Sequence, residues 1–285
     1  MYTQEITRTH RTAFVIAIDQ SSSMQESVVV NSRRMTKAEA VAAITNRLID
    51  ELVMRARRDD GIRNYYDIAV IGYGNEKVYP LLGETLGFLP VSIIAERRIE
   101  HRRISYERIL PSGETAVATE TMPLWIEPYA AGSTPMYEML SAVTDLVGRW
   151  CAEPQNADSF PPTVFNITDG EPTDCDSAQS RQAAARLKSA ATADGGTLLV
   201  NVHISTNPAQ RSVIFPRIDE LGSDDKCARL LAEISSRVPE AMNDSVRRFR
   251  GDFALPPFVA MSYNASITEA LAMMDIGSRS ATVLR

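Results

Sequence analysis

Residues 13–23 read Ala13-Phe14-Val15-Ile16-Ala17-Ile18-Asp19-Gln20-Ser21-Ser22-Ser23: six apolar residues that stop at an aspartate and open into a serine-rich turn. The apolar part is continuous rather than alternating, which is the pattern of a strand covered on both faces in a parallel sheet. Its abrupt end matters as much as its content. In open α/β sheets, ligands bind beyond the C-terminal ends of the strands, near the point where strand order reverses. An Asp-x-Ser-x-Ser string in that position is therefore a candidate site as well as a fold marker.

Outward from this stretch, short apolar runs alternate with helical patterns. After polar residues up to Met35, Thr36 and Glu39 form a capping-box signature, and Val41, Ala42, Thr45, Leu48, Leu52 and Ala56 fall near one helical face. A second strand is predicted at Ile68 to Tyr73, with Gly72 and Gly74 at its end. Pro135 stands at an expected first helical position, and Met136, Leu140, Val143, Val147 and Trp150 follow at steps of four and three. Thr163 to Thr168 predicts a strand stopped by Asp169-Gly170, and Asp176 with Gln179 caps an Ala-rich helix expected to run to about Ala193. Leu198 to Ile204 predicts a fourth central strand and Phe258 to Ser262 a last one. Ser266 with Glu269 is expected to cap a final helix carrying Ile267, Ala270, Leu271 and Met274. The alternation predicts an α/β fold: a Rossmann-like, doubly wound, mostly parallel sheet with helices on both faces.

Two regions fit this scheme less well. Residues 75–131 are too many for an ordinary connection. They hold apolar runs at Val91 to Ala95 and Thr121 to Ile126 and the basic stretch Arg97 to Arg103, and are expected to be part edge hairpin and part insertion. The basic stretch reads first as a solvated face, as does Arg247-Arg248-Phe249-Arg250. Residues 206–253 are loosely patterned, with one helix expected at Asp225 to Val238.

Composition narrows the setting. The 285 residues carry 30 Lys+Arg against 36 Asp+Glu, a formal charge of −6, with 44% apolar and 23% charged residues, as in a soluble globular protein. A pI near 5.3 offers no general attraction to nucleic acid or anionic membrane, so neither partner is expected. The opening MYTQEITRTHRTAF lacks the apolar stretch of a secretory signal, no run approaches the roughly 18 apolar residues of a membrane helix, and a cytoplasmic setting is expected. Cys151, Cys175 and Cys227, spaced by 24 and 52, fit neither a disulfide framework nor a CxxC knuckle and read as structural thiols. His10, His101 and His203 are scattered, with no HExxH, and no GxSxG elbow occurs. Gly72-Tyr73-Gly74 lacks both the Lys-Ser/Thr ending of a P-loop and the third glycine of a dinucleotide fingerprint.

Three polar clusters fall at predicted strand ends or helix starts: Asp19-x-Ser21-x-Ser23, Gly132-Ser133-Thr134-Pro135 and Thr168-Asp169-Gly170-Glu171. Each alone has a plainer reading. Serine-rich loops and Asp-Gly turns are common, and Ser133-Thr134-Pro135 could be simply a helix cap. Together, two carboxylates and three hydroxyls make a hard, all-oxygen set suited to Mg²⁺ or Mn²⁺ rather than to a soft metal. Mg²⁺ keeps near-octahedral geometry at about 2.0–2.1 Å and tends to retain waters, which leaves room for an external oxygen. The x positions would let alternate side chains of an extended turn face the ion.

With these pieces in this order, the sequence resembles a von Willebrand factor A (VWA) domain with a complete metal-ion-dependent adhesion site, over about Arg11 to Gly277. The resemblance implies Asp19, Ser21, Ser23, Thr134 and Asp169 as metal ligands. It implies direct contacts from the serines, direct or water-bridged ones from Thr134 or Asp169, and completion of the shell by a protein partner's Glu or Asp. Partners of the implied kind are MoxR-type AAA+ ATPases, or the kinase and phosphatase proteins associated with stand-alone VWA proteins of the tellurite-resistance type. Ser22 departs from the Gly that many members carry, and the insertion at 75–131 leads straight into the Thr134 loop. Because Asp19 and Asp169 must meet at one ion, residues 1–285 are expected to form a single VWA domain, with a core of about 11–277 and insertions at about 75–131 and 206–253.

The competing function is a Mg-dependent hydrolase or phosphoryl-transfer enzyme using the same site. Against it, the only nearby candidates for a base are Glu171 and Asp174, and no phosphate-binding Lys or Arg stands out near the three loops. No enzymatic activity is therefore expected. A third reading, a purely structural site, sits poorly with a complete ligand set. The oligomeric state is left open.

Overall fold

The computed structural model describes residues 2–30, 33–109, 115–204, 212–221, 225–251, 254–264 and 273. The helix expected to start from Ser266 and Glu269 lies outside the described residues. In chain order the main elements are β1 (Thr12–Asp19), β2 (Ser27–Val30), β3 (Arg33–Thr36), α1 (Lys37–Ala56), β4 (Tyr66–Gly74), β5 (Lys77–Pro80), β6 (Leu89–Pro90), α2 (Val91–Glu96), β7 (Glu100–Ile109) and β8 (Thr115–Leu124). They continue with α3 (Met136–Ala152), β9 (Thr163–Thr168), α4 (Ser177–Ser189), β10 (Leu198–His203), β11 (Val213–Ile214), α5 (Lys226–Ile234), α6 (Asn243–Arg250) and β12 (Met261–Tyr263).

The strand announced by residues 13–18 is buried along its whole length and lies mid-sheet. Strand order is β11-β12-β10-β9-β1-β4-β5, with β6 also on β4. The pairs β1/β4, β1/β9, β9/β10 and β10/β12 are parallel, and the edges β5, β6 and β11 are antiparallel. Alternate residues of β1 serve opposite faces. Phe14, Ile16 and Ile18 pack with α1 and α2 residues such as Val41, Leu48 and Ile94. Val15 and Ala17 pack with Met136 and Val143 of α3, Leu187 of α4 and Leu231 of α5. Burying each large aliphatic side chain contributes about 1.5–3 kcal/mol, which is why a strand covered twice shows no polar alternation. The fold is thus α/β, with a mostly parallel sheet and helices on both faces.

Both capping boxes form as expected, Thr36 with Glu39 on α1 and Asp176 with Gln179 on α4. Other expectations are corrected. Helix α4 ends at Ser189, because Ala191–Thr192 turn back to pair with Gly195–Gly196. Helix α5 stops at Ile234, where extended Ser235 leads Ser236 to donate its N–H to Leu199 O. The last strand is Met261–Tyr263, since the N–H groups of Val259 and Ala260 go to Pro216 O and Ser236 O in neighbouring loops. Pro135 precedes α3 as its N-cap residue rather than opening it.

Residues 75–131 do contain an edge hairpin, β4–β5, but the Val91 run is helical, as α2. The rest, β7 and β8, forms a long antiparallel pair that joins a β2–β3 hairpin in a second sheet of order β8-β7-β3-β2. The hairpin arises before Met35, around the short apolar run Val28-Val29-Val30, where no strand is expected. No helix among the described residues is long and apolar enough to cross a membrane.

Candidate metal centre

From β1 the chain passes to β4 on one side and later to β9 on the other, so the reversal of strand order falls at the C-terminal end of β1. Asp19 ends that strand and Asp169 follows β9. Main-chain bonds stitch the surrounding loops together. Gln20 N–H donates to Tyr73 O (2.8 Å), Ala131 N–H to Gln20 O (2.7 Å) and Ser22 N–H to Gly132 O (2.9 Å). Ser22 Oγ accepts from Gly132 N–H at 2.8 Å, so this serine straps two loops together. Gly132 has φ +72°, and a Cβ there would sit 2.5 Å from Asn75 Cα. The Thr134 loop is tied in turn to the Asp169 loop, with Thr173 N–H donating to Thr134 O (3.0 Å) and Thr173 Oγ1 accepting from Thr134 N–H (2.9 Å).

The turn after Asp19 is not extended as expected. Ser21 has extended backbone, but Ser22–Gln25 form one 3₁₀ turn, which brings Ser21 and Ser23 onto the same side. Their Oγ atoms lie 3.0 Å apart, and Ser23 Oγ–H donates to Asp169 Oδ1 at 2.8 Å. Asp19 is 1% exposed, its Oδ1 accepting from Ser21 N–H (2.9 Å) and its Oδ2 from the Thr168 hydroxyl (2.6 Å). Burial pushes the Asp19 carboxyl up to about 6, against the opposing pull of its hydrogen bonds from Thr168 and Ser21. Thr134 is buried, and its main chain is bound to the main chain and hydroxyl of Thr173, in the loop that follows Asp169. Of the five candidate ligands, then, Ser21, Ser23 and Asp169 are linked side chain to side chain, and the Asp19 carboxylate joins them through Ser21 N–H.

This oxygen set fits a hard cation. Adjacent ligands of an octahedral shell at about 2.0–2.1 Å lie about 2.9 Å apart, which the Ser21–Ser23 and Ser23–Asp169 separations of 3.0 and 2.8 Å match. Among the described residues no three His, Cys, Asp or Glu side chains gather as a metal cluster, so hydroxyls must supply part of any shell here.

Sequence reasoning missed a cation of the protein's own. Lys37, the first residue of α1, places Nζ 2.6 Å from Asp169 Oδ2 and 2.7 Å from Glu26 Oε2. Its side chain is 5% exposed and that of Asp169 is 1% exposed. Burial alone would depress this ammonium, but the hydrogen bonds and charges of Asp169 and Glu26 outweigh it and hold the ammonium above its ordinary value. A signal was available, since a lysine in a helix's first turn opposes the macrodipole and needs a local acid to compensate. Thr168 was also overlooked as a partner of Asp19.

Two other expectations change. The carboxylate of Asp174 caps α3, taking the N–H groups of Tyr137 and Glu138 at 3.1 and 3.0 Å. Pro135 occupies the N-cap position, but its side chain makes no capping hydrogen bond, and Ser133 Oγ instead accepts from Glu76 N–H at 3.1 Å. Glu171 is exposed. His203 is buried and stacked on Tyr263, in line with a structural role.

No protein-family model matches the sequence, and no curated protein matches it. Solved structures similar to this chain include a von Willebrand factor type A from Catenulispora acidiphila, at 15% identity over 68% of this chain and 33% of that one (TM-score 0.41). The SpRpn10 VWA domain is 9% identical over 79% and 83% of the two chains (TM-score 0.44). The vWF domain of the type V pili tip protein Mfa5 from Porphyromonas gingivalis is 14% identical over 57% and 39% (TM-score 0.33). This chain thus spans about a third of the length of the first of these structures. The α/β class stands on the strand order and parallel register of the main sheet.

Proposed function

We propose that this chain is a VWA-type protein-interaction module that holds Mg²⁺ or Mn²⁺ with Asp19, Ser21, Ser23, Thr134 and Asp169, and uses it to bind an acidic side chain of a protein partner. The observation that carries this reading is the convergence of Asp19, Ser21, Ser23 and Asp169 at the switch point of the sheet: Ser23 Oγ lies 3.0 Å from Ser21 Oγ and 2.8 Å from Asp169 Oδ1, and Asp19 Oδ1 accepts from Ser21 N–H. A divalent cation at such a site supplies a strong electrostatic contact and a coordination position that an external carboxylate can fill. The chain's own part is to fix the oxygens: the Thr168 hydroxyl and Ser21 N–H orient Asp19, and Ser23 orients Asp169. The reading places the chain in the cytoplasm as one domain. MoxR-type AAA+ ATPases and kinase or phosphatase proteins are the partner classes to try first.

The test is calorimetric titration of Mg²⁺ and Mn²⁺ into the wild type and Asp19→Ala. Binding that the substitution abolishes supports the site, and equal binding by the two proteins removes it. In pull-downs, the principal partner should be retained with Mg²⁺ and lost with EDTA. Retention in both conditions would sink the metal-mediated contact.

One observation favours the enzyme alternative: a lysine does stand at the site. Yet Nζ of Lys37 is already engaged by two carboxylates, and Asp174 is committed to capping α3. We therefore keep the non-enzymatic reading. Turnover of phosphoester substrates that is lost in Asp169→Ala would reverse it.

A further inference from the structure

We propose that Lys37 is a built-in counter-cation that shares Asp169 with the divalent ion, and so keeps metal affinity low and exchange ready. This rests on the metal-site reading above and goes beyond it, because a resident ammonium is no part of an all-oxygen ligand set. The two oxygens of Asp169 have separate tasks. Oδ1 faces Ser23 and the candidate ligand group, while Oδ2 is taken by Lys37 Nζ at 2.6 Å. Any cation on the Ser23 side therefore shares one carboxylate with a fixed positive charge whose side chain is 5% exposed and poorly screened by solvent.

Lys37 cannot readily swing away. Its backbone N–H donates to Glu26 O at 2.9 Å and its Nζ meets Glu26 Oε2, so main chain and side chain together clamp the base of the β2–β3 hairpin. It also opens the first turn of α1, inside the Thr36–Glu39 capping box. The ammonium is thus held by the fold, and its repulsion is built into the site.

The experiment is Mn²⁺ titration, read by calorimetry, of the wild type, Lys37→Gln, Lys37→Arg and Asp19→Ala, each checked for folding by circular dichroism. Lys37→Gln removes the charge and keeps a hydrogen-bond donor for Asp169; it is expected to bind about tenfold tighter or better. Lys37→Arg is expected to bind like the wild type. A gain of affinity cannot come from structural damage, which would lower it. If Lys37→Gln fails to fold, Lys37→Met serves as the neutral variant. Unchanged or weaker binding by a folded neutral variant, with binding still lost in Asp19→Ala, overturns the role of Lys37 and leaves the metal site standing. Equal binding by Asp19→Ala and the wild type overturns the metal site itself, and this inference with it.

Discussion

Ser22 and Gly132 illustrate how much of the centre depends on single residues that ligate nothing. Gly132 holds a left-handed φ of +72° with no space for a Cβ against Asn75. Gly132→Ala is therefore expected to cost about 1–3 kcal/mol in urea unfolding, with weaker metal binding as the loop shifts. Ser22→Ala deletes one hydroxyl acceptor for Gly132 N–H and is expected to cost about 1 kcal/mol. Unchanged midpoints in both variants would contradict the strap. The grouping of Asp19, Ser21, Ser23 and Asp169 could be read from the sequence because motif order and strand ends place them in one dimension. For Lys37, 14 residues beyond Ser23, the sequence signals only that a first-turn lysine needs an acid; that the acid is Asp169, 132 residues away in the chain, it does not show.

At the level of elements, the contrast lies in where caps come from. Thr36 and Asp176 cap α1 and α4 from the adjoining residue, and both are visible in a four-residue window. Helix α3 is capped by Asp174, 36 and 37 residues beyond the N–H groups it accepts from, so no local window reveals it. Asp174→Ala is expected to lower stability by about 1 kcal/mol, measured as a shift in the denaturant midpoint with unchanged slope. Its effect on the phosphoester turnover discussed above should be nil. The second sheet escaped prediction for the same reason. The apolar runs within its strands, such as Val28-Val29-Val30, are only three residues long, Val29 and Val117 are exposed, and β3 finds its partner in β7 some 70 residues later.

For the whole molecule, the doubly covered sheet could be read because its central strands are mostly apolar, unbroken in residues 13–18 and interrupted by one buried asparagine each, Asn166 and Asn201, in β9 and β10. The same burial sets the protein's response to alkali. Burial, aided by the charges of Asp225, Glu171, Asp169 and Asp19, pushes the Cys227 thiol up to about 12, and burial pushes Cys151 up to about 11. The unfolded chain releases these protons near the ordinary thiol value of 9.0, well before the folded one. Their contribution to stability is thus complete below about pH 9 and is lost as pH rises toward 11 and 12. Melting temperature should fall over that interval, less steeply in Cys227→Ala. A thiol reagent at about pH 8 should label Cys151 and Cys227 slowly in the native protein and quickly in denaturant; rapid native labelling would contradict their burial.

The stitching of the Asp19, Gly132 and Asp169 loops runs largely through main-chain atoms: Gln20 to Tyr73 and Ala131, Ser22 to Gly132, and Thr173 to Thr134. Such a frame has little conformational entropy left to lose when a ligand arrives. Capture at the sheet edge should then be limited by the shedding of water from the incoming ion, and hydrogen exchange of these amides should be slow before and after loading.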